Sequence, residues 1–305
     1  MIDRSRFDKE LVSQAETNGC SVWLKCRALK VDLNRSKLIV RRNDGDCAVS
    51  FKVLIVADGA TSEITRKLGL KTTCSEDQSP TIQNVMSNLN LESNVCEMYW
   101  GVNYSPGGYA WIIPKSTAKA NVGLGIRVKF SGKRGNIKEY LENFINKHPI
   151  ASKKLFRGNV LSMIGGVVPT GGPIPNTYYE NILIAGDAAG QVLAHVGGGV
   201  PPGMVAGEIA GETASRHLLN HVPLSKYEDE WRAEIGEALE TSLKIRKLGD
   251  LFIRNDKLSE IALRVIGSEG LSRLIRCKMP KKLKSSINQV NTAKKLIRKL
   301  KEIFR

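Results

Sequence analysis

Two apolar runs in this chain end in the same way. VLIVAD closes at Asp58 and is followed by Gly59, and ENILIAGDAAG closes at Gly186 and Asp187. A run of this kind, nearly free of polar residues, suits a strand buried on both faces, as in a sheet covered by helices. Ligands of such open α/β sheets bind beyond the carboxyl ends of the strands. Both aspartates fall at that position, at the ends of two such runs.

The residues around the second run point to a ligand. Gly186 lets the backbone turn closely, and the Asp187 carboxylate can accept hydrogen bonds from sugar or ribityl hydroxyls. Gly197, Gly198 and Gly199 then precede a helix rich in small residues from Val205 to about Leu219. Backbone N–H groups at a helix N-terminus favour a phosphate or another electron-rich group. A tight strand–helix turn with Asp187 as N-cap explains the same residues without a ligand. The first run continues as VADGATSEITRKLG, residues 56–69, where Ser62 begins a helix carrying Arg66. Here too a plain capped helix is the alternative.

The rest of the chain divides by pattern. FDKELVSQAETN, residues 7–18, reads as a helix with Phe7, Leu11 and Ala15 at intervals of four and Gly19 as its stop. SVWLKCRALKV, KLIVRR and AVSFKVLIVAD read as strands, with the hairpin signal NDGD between the last two. Residues 80–165 predict a separate antiparallel sheet from SPTIQNVMSNLNL, EMYWGVN, YAWIIP and NVGLGIRVKF, followed by a helix at IKEYLENFINKH. The expected organisation is a discontinuous α/β domain of residues 1–75 and 166–220. A β-rich insertion at 76–165 and helices over 221–305 complete it.

Composition limits what such a fold does. The chain has 305 residues, 42% of them hydrophobic, which is a globular composition. No apolar run approaches the roughly 20 residues needed to span a bilayer. The N-terminus MIDRSRFDKE is charged, without the apolar stretch of a signal peptide, so an intracellular protein is expected. Six scattered cysteines form no CxxC pair and no Cys/His cluster, which argues against a zinc site and against a disulfide framework. No metal site is expected. The net charge is +16, and from Arg276 to Arg305 eleven Lys or Arg residues face one acid, Glu302. VNTAKKLIRKLKEIFR, residues 290–305, reads as a basic amphipathic helix suited to an anionic membrane surface. A solvated helix covering the core fits the same pattern. No nucleic-acid motif with interleaved aromatics accompanies the basic residues.

Together the two aspartate motifs resemble the DGxxSxxRxxLG and GDAAG elements of FAD-dependent oxidoreductases of the p-hydroxybenzoate hydroxylase-like class. PGGYAWIIPKSTAKANVGLGI, residues 106–126, resembles the YxWxFP…GxG element of the archaeal geranylgeranyl reductase family. Tyr109, Trp111, Pro114, Gly123 and Gly125 stand in the matching places, and Ile113 stands where Phe is usual. The resemblance implies a mixed α/β fold: an incomplete FAD-binding Rossmann-like domain, an inserted antiparallel substrate sheet and C-terminal helices. It implies an enzyme that reduces double bonds of geranylgeranyl chains on archaeal membrane lipids or their precursors; NAD(P)H and ferredoxin are the options for an electron donor that the sequence does not name. A peripheral membrane location on the cytoplasmic side follows.

Residue by residue, the resemblance places Asp187 against the FAD ribityl or pyrophosphate region. It puts Gly186, Ala188 and Gly197–Gly199 beside the isoalloxazine, and Asp58 and Gly59 on the pyrophosphate side. Arg4, in the element DRSRFD, matches an Arg that faces FAD, while Phe7 and Asp8 are structural. Tyr109, Trp111, Pro114, Gly123 and Gly125 line the substrate cavity. No residue stands out as the catalytic acid; His195 is near the flavin loop and is either a proton donor or a chance polar residue. The family also opens with a βαβ unit carrying GxGxxG, which binds the ADP half of FAD, and that unit is absent here. A fragment, a partner of a separate N-terminal polypeptide and a degenerate relative are the three explanations. The intact motifs favour a fragment or split enzyme. The alternatives in function are a flavin-dependent monooxygenase of the same superfamily and a non-catalytic, basic, membrane-associated remnant.

Overall fold

The computed structural model describes residues 2–131 and 136–278. Helix α1, Arg4–Thr17, starts at Asp3, whose carboxylate accepts the Arg6 N–H, and buries none of its residues. A hairpin sheet follows: β1 (Arg27–Asp32), β2 (Lys37–Arg42) and β3 (Gly45–Ser50), antiparallel and in that order. The β2–β3 turn falls on the Asn-Asp-Gly signal, with Gly45 at φ +125. Strand β4, Leu54–Val56, is separate from β3. The run AVSFKVLIVAD is therefore two strands in two sheets, broken where the chain leaves the hairpin. Helix α2, Glu63–Lys67, comes next.

Residues 78–169 build the largest sheet. Its strands are β5 (Gln78–Ser87), β6 (Glu97–Tyr99), β7 (Tyr109–Ser116), β8 (Lys119–Gly125) and, after the helices, β9 (Asn159–Pro169). Their order is β6-β7-β8-β5-β9, all antiparallel. Strict alternation drives it: Ala110 and Ile112 of β7, Ala120, Val122 and Leu124 of β8, and Ile82 and Met86 of β5 are buried on one face. That face is covered by α4 (Ile137–Lys147) through Leu141 and Phe144, and by α5 (Ala151–Leu155) through Leu155. Asn136 caps α4 by accepting the Lys138 N–H. The segment VKF, read in sequence as the end of a strand, is instead the short helix α3, Val128–Ser131, because β8 ends at Gly125.

The chain then returns to the first domain. β10 (Tyr178–Tyr179) pairs antiparallel with β11 (Ile182–Ile184), and β11 pairs parallel with β4. Residues 182–184 are fully buried, as the apolar run requires. Helix α6, Val200–Asn220, packs Ala206 and Ala210 against Leu183 and Ala185. Helix α7 (Lys226–Trp231) passes through a π-helical turn at Arg232–Gly236 into α8 (Glu237–Gly249), and α9 (Asp256–Ile275) follows. The basic stretch 290–305 lies outside the described residues. The parallel sheet ends at β4: among the described residues its far edge has no strand partner, and Ile55 is 39% exposed there.

Candidate functional site

The turn after β11 is built by backbone geometry. Gly186 sits at φ +66 and Gly190 at φ +66, with the single turn Gly186–Ala189 between them. A Cβ on Gly190 would lie 2.3 Å from the Gly172 carbonyl oxygen, so only glycine fits. Gln191 holds the turn from inside: its Oε1 accepts the Gly186 N–H at 2.7 Å, and its Nε2 donates to the Tyr227 hydroxyl at 3.3 Å. Tyr227 in turn donates to the Ile184 carbonyl at 2.9 Å. Gln191 and Tyr227 are both fully buried. Nothing in the local pattern singled them out, because their meeting depends on α7 folding back under the turn.

Asp187 is half-buried in this turn, and its carboxylate accepts no hydrogen bond from the described residues. Burial pushes its pKa up, and the positive charge of Arg4 partly offsets this. Asp187 is not a helix N-cap: α6 begins after Gly199, with no side-chain cap. The two groups still meet. A Cβ on Gly199 would lie 2.8 Å from Asp187 Oδ1, so the missing side chain lets the carboxylate stand beside the start of α6. Gly197, at φ +68, and Gly198, bridged to Leu193, complete the loop, and Ala188 is buried beneath it. Arg4 is held by Asp8 through bonds of 3.0 and 3.1 Å, which gives Asp8 a structural role.

The first motif behaves differently. Asp58 Oδ2 accepts the backbone N–H groups of Glu63 and Ile64 at 3.1 and 3.3 Å, and Ser62 Oγ accepts that of Thr65 at 3.1 Å. Two side chains thus satisfy the orphan donors of α2. Gly59, at φ +87, makes the turn between them. Asp58 is a capping residue here, at the carboxyl end of β4, the strand parallel to β11.

The uncovered face of the large sheet meets the glycine-rich loop. Tyr109 donates to the Val196 carbonyl at 2.5 Å, and its ring lies 5.6 Å from that of Trp111 and 6.3 Å from that of Trp100. Burial pushes the Tyr109 phenol up to about 12. Trp111 lies across β8, with its Nε1 donating to Gln83 Oε1 on β5 at 3.0 Å. A Cβ on Gly123 would sit 2.6 Å from the Trp111 ring, so the glycine makes room for the indole. Gly125 is paired with Tyr109. Pro114 does not join them. It shares the parity of Ala110 and Ile112 and is buried on the opposite, helix-covered face, which corrects its expected place in the cavity. His195 also turns away: its Nδ1 is 2.8 Å from Ser242 Oγ on α8, and burial lowers its pKa. It ties the loop to the helices.

Known proteins carry the same construction. The geranylgeranyl reductase catalytic domain matches residues 77–168, which is the large sheet with its helices. Digeranylgeranylglycerophospholipid reductase 2 of Methanothermobacter thermautotrophicus is 33% identical over 292 residues, covering 93% of this chain and 73% of that protein. The digeranylgeranylglycerophospholipid reductase of Methanocaldococcus jannaschii is 35% identical over 277 residues, covering 86% and 67%. Among solved structures, a geranylgeranyl bacteriochlorophyll reductase-like protein from Thermoplasma acidophilum superposes with a TM-score of 0.76 at 26% identity, covering 93% of this chain and 74% of that one. A flavin-dependent brominase, at 14% identity and a TM-score of 0.72 over 97% of this chain and 76% of that one, shares the fold alone. By sequence, catalytic-domain match and fold together, the chain belongs to the digeranylgeranylglycerophospholipid reductase family.

Proposed function

We propose that this protein is an FAD-dependent reductase that saturates double bonds of geranylgeranyl chains on membrane lipids or their precursors. The observation that carries it is the Tyr109–Val196 hydrogen bond, which seats the aromatic face of the large sheet against the glycine-rich loop beside Asp187. The loop fits part of a flavin nucleotide. Asp187 offers an acceptor without a protein donor, and the missing side chain of Gly199, whose Cβ would lie 2.8 Å from Asp187 Oδ1, lets that carboxylate stand at the start of α6. Bound FAD, once reduced, would supply a hydride to one alkene carbon, and the other carbon would take up a proton. The chain's own residues do the rest: Asp187 and Gly197–Gly199 hold the nucleotide, and Tyr109 and Trp111 position an apolar chain and exclude water.

The open edge of β4 bears on how the nucleotide is completed. An unpaired, apolar strand edge in a parallel sheet is a template for another strand. Strands that pair with β4 and carry the other half of the FAD site, from a preceding segment of a longer chain or from a separate polypeptide, suit this edge. The donor of electrons to the flavin is NAD(P)H or a ferredoxin, and the enzyme works at the cytoplasmic face of the membrane.

The test is to titrate the purified chain with FAD and follow the visible spectrum, with and without a βαβ unit of a family member. Reduction is then assayed with geranylgeranyl lipid and chemically reduced flavin, by the mass gain of two hydrogens per double bond. Flavin uptake that fails both alone and with the added unit sinks the proposal. Oxygen insertion into an aromatic substrate in place of alkene reduction would establish the monooxygenase alternative.

A further inference from the structure

Helix α9 carries a feature that the flavin site does not use. Asn255 caps it by accepting the Leu258 N–H, and Gly267, at φ 66 and ψ 175, breaks it. Before that break Leu258, Ile261 and Val265 recur at helical spacing and are 47%, 58% and 78% exposed. Leu251 and Phe252, in the turn that precedes the helix, are exposed as well. Apolar side chains in such a row carry a cost in water unless something covers them.

Charge indicates what covers them. Lys257 and Arg264 flank the row on the same helix, and Arg254 stands beside Phe252 with its guanidinium 5.0 Å from the Phe130 ring. The nearby acids are engaged: Asp256 accepts the Val102 N–H at 2.9 Å, and Glu260 pairs with Arg264 at 2.6 Å. Beyond the helix the sequence becomes strongly basic from Arg276 onward. An anionic bilayer would meet both parts, with apolar side chains entering the headgroup boundary and basic ones meeting lipid phosphates. No helix among the described residues is long and apolar enough to cross a membrane.

We propose that the ridge Leu251–Phe252–Leu258–Ile261–Val265, with its rim of Arg254, Lys257 and Arg264, is the surface by which this protein lies on an anionic lipid bilayer. This rests on the reading that the enzyme works at a membrane. The full chain is co-sedimented with vesicles of phosphatidylglycerol and phosphatidylcholine, and with vesicles of phosphatidylcholine alone. Binding is expected to the first and not to the second. The triple variant Leu258→Ser, Ile261→Ser, Val265→Ser should bind the anionic vesicles about tenfold less tightly or worse. The pair Lys257→Glu, Arg264→Glu should also lose binding. Leu219→Ser, which alters a 75% exposed leucine on α6, should bind unchanged.

These side chains are exposed, so urea midpoints of the variants should match the parent protein. Parent-like binding by the triple variant overturns the ridge and leaves the membrane reading standing. A parent protein that binds neither vesicle overturns both. A dimer that the same substitutions dissolve, with no vesicle binding, makes the ridge a self-association surface instead. Flavin uptake, measured separately, reports on the proposed reaction whatever the vesicles show.

Discussion

The Tyr109 hydroxyl and the Val196 carbonyl, 2.5 Å apart, tie the aromatic face of the large sheet to the glycine-rich loop. The phenol is pushed up to about 12 by burial, so it remains a donor at every pH the protein would work in. Tyr109→Phe removes the donor and leaves a partly buried carbonyl unpaired. A loss of about 1 kcal/mol follows, seen in urea unfolding. FAD affinity should fall with it by about fivefold in a flavin titration, since the loop loses its anchor. An unchanged flavin affinity with the expected drop in stability would mean that the tie serves packing alone.

Two glycines of the site should respond in opposite ways. Gly199 has an ordinary φ of −107, so Gly199→Ala is tolerated by the backbone, but the new Cβ meets Asp187 Oδ1 at 2.8 Å. Stability should change by less than about 1 kcal/mol while flavin binding weakens. Gly190→Ala puts a Cβ 2.3 Å from the Gly172 carbonyl at φ +66, where neither backbone can give way. That variant should lose more than about 2 kcal/mol in denaturant melts. Unchanged flavin binding by Gly199→Ala would remove the case for a ligand at Asp187.

Period-two alternation explains why the sheet was legible and where one site residue was misplaced. Tyr109 and Trp111 lie on one face of β7, and Ala110, Ile112 and Pro114 on the other. The same alternation that marks the strand separates Pro114 from the residues grouped with it. The parallel pair was legible because β4 and β11 carry no polar residue, although only β11 is fully buried and Ile55 of β4 is exposed. Asp58 and Asp187 look alike in sequence, yet one caps α2 and the other does not cap α6. The difference is that α6 starts thirteen residues past Asp187, after a loop that the local pattern does not shape. Gln191 with Tyr227, and His195 with Ser242, are contacts across long separations, which no local pattern encodes.

The C-terminal helices are fastened to the large sheet by ion pairs. Arg127, with a side chain only 6% exposed, donates to the Gly107 carbonyl at 2.7 Å, and its guanidinium grips both carboxylate oxygens of Asp250. Asp250→Ala leaves that guanidinium buried without its counter-charge. A loss of about 3 kcal/mol or more is expected. Arg264→Ala breaks an exposed pair within one helix turn and should cost less than about 1 kcal/mol. Urea midpoints of the two variants compare them directly. Similar values would show that the Arg127–Asp250 pair is solvated in solution.

His148 gives the large sheet and its helices a pH dependence. Its Nδ1 accepts the N–H groups of Ile150 and Ala151 at 3.2 and 3.1 Å, and its ring packs on Tyr99, Tyr104 and Phe144. Both backbone bonds need the unprotonated nitrogen, and burial lowers the pKa from its ordinary 6.5. The folded state therefore favours the neutral ring. The stability that His148 contributes is present above pH 6.5 and is lost as pH falls through its lowered value. Thermal melts should show a falling midpoint on the acid side of 6.5. His148→Asn keeps an acceptor that does not titrate, so in that variant this part of the acid dependence should vanish. A variant that follows the parent curve through the acid range would assign the dependence to other groups.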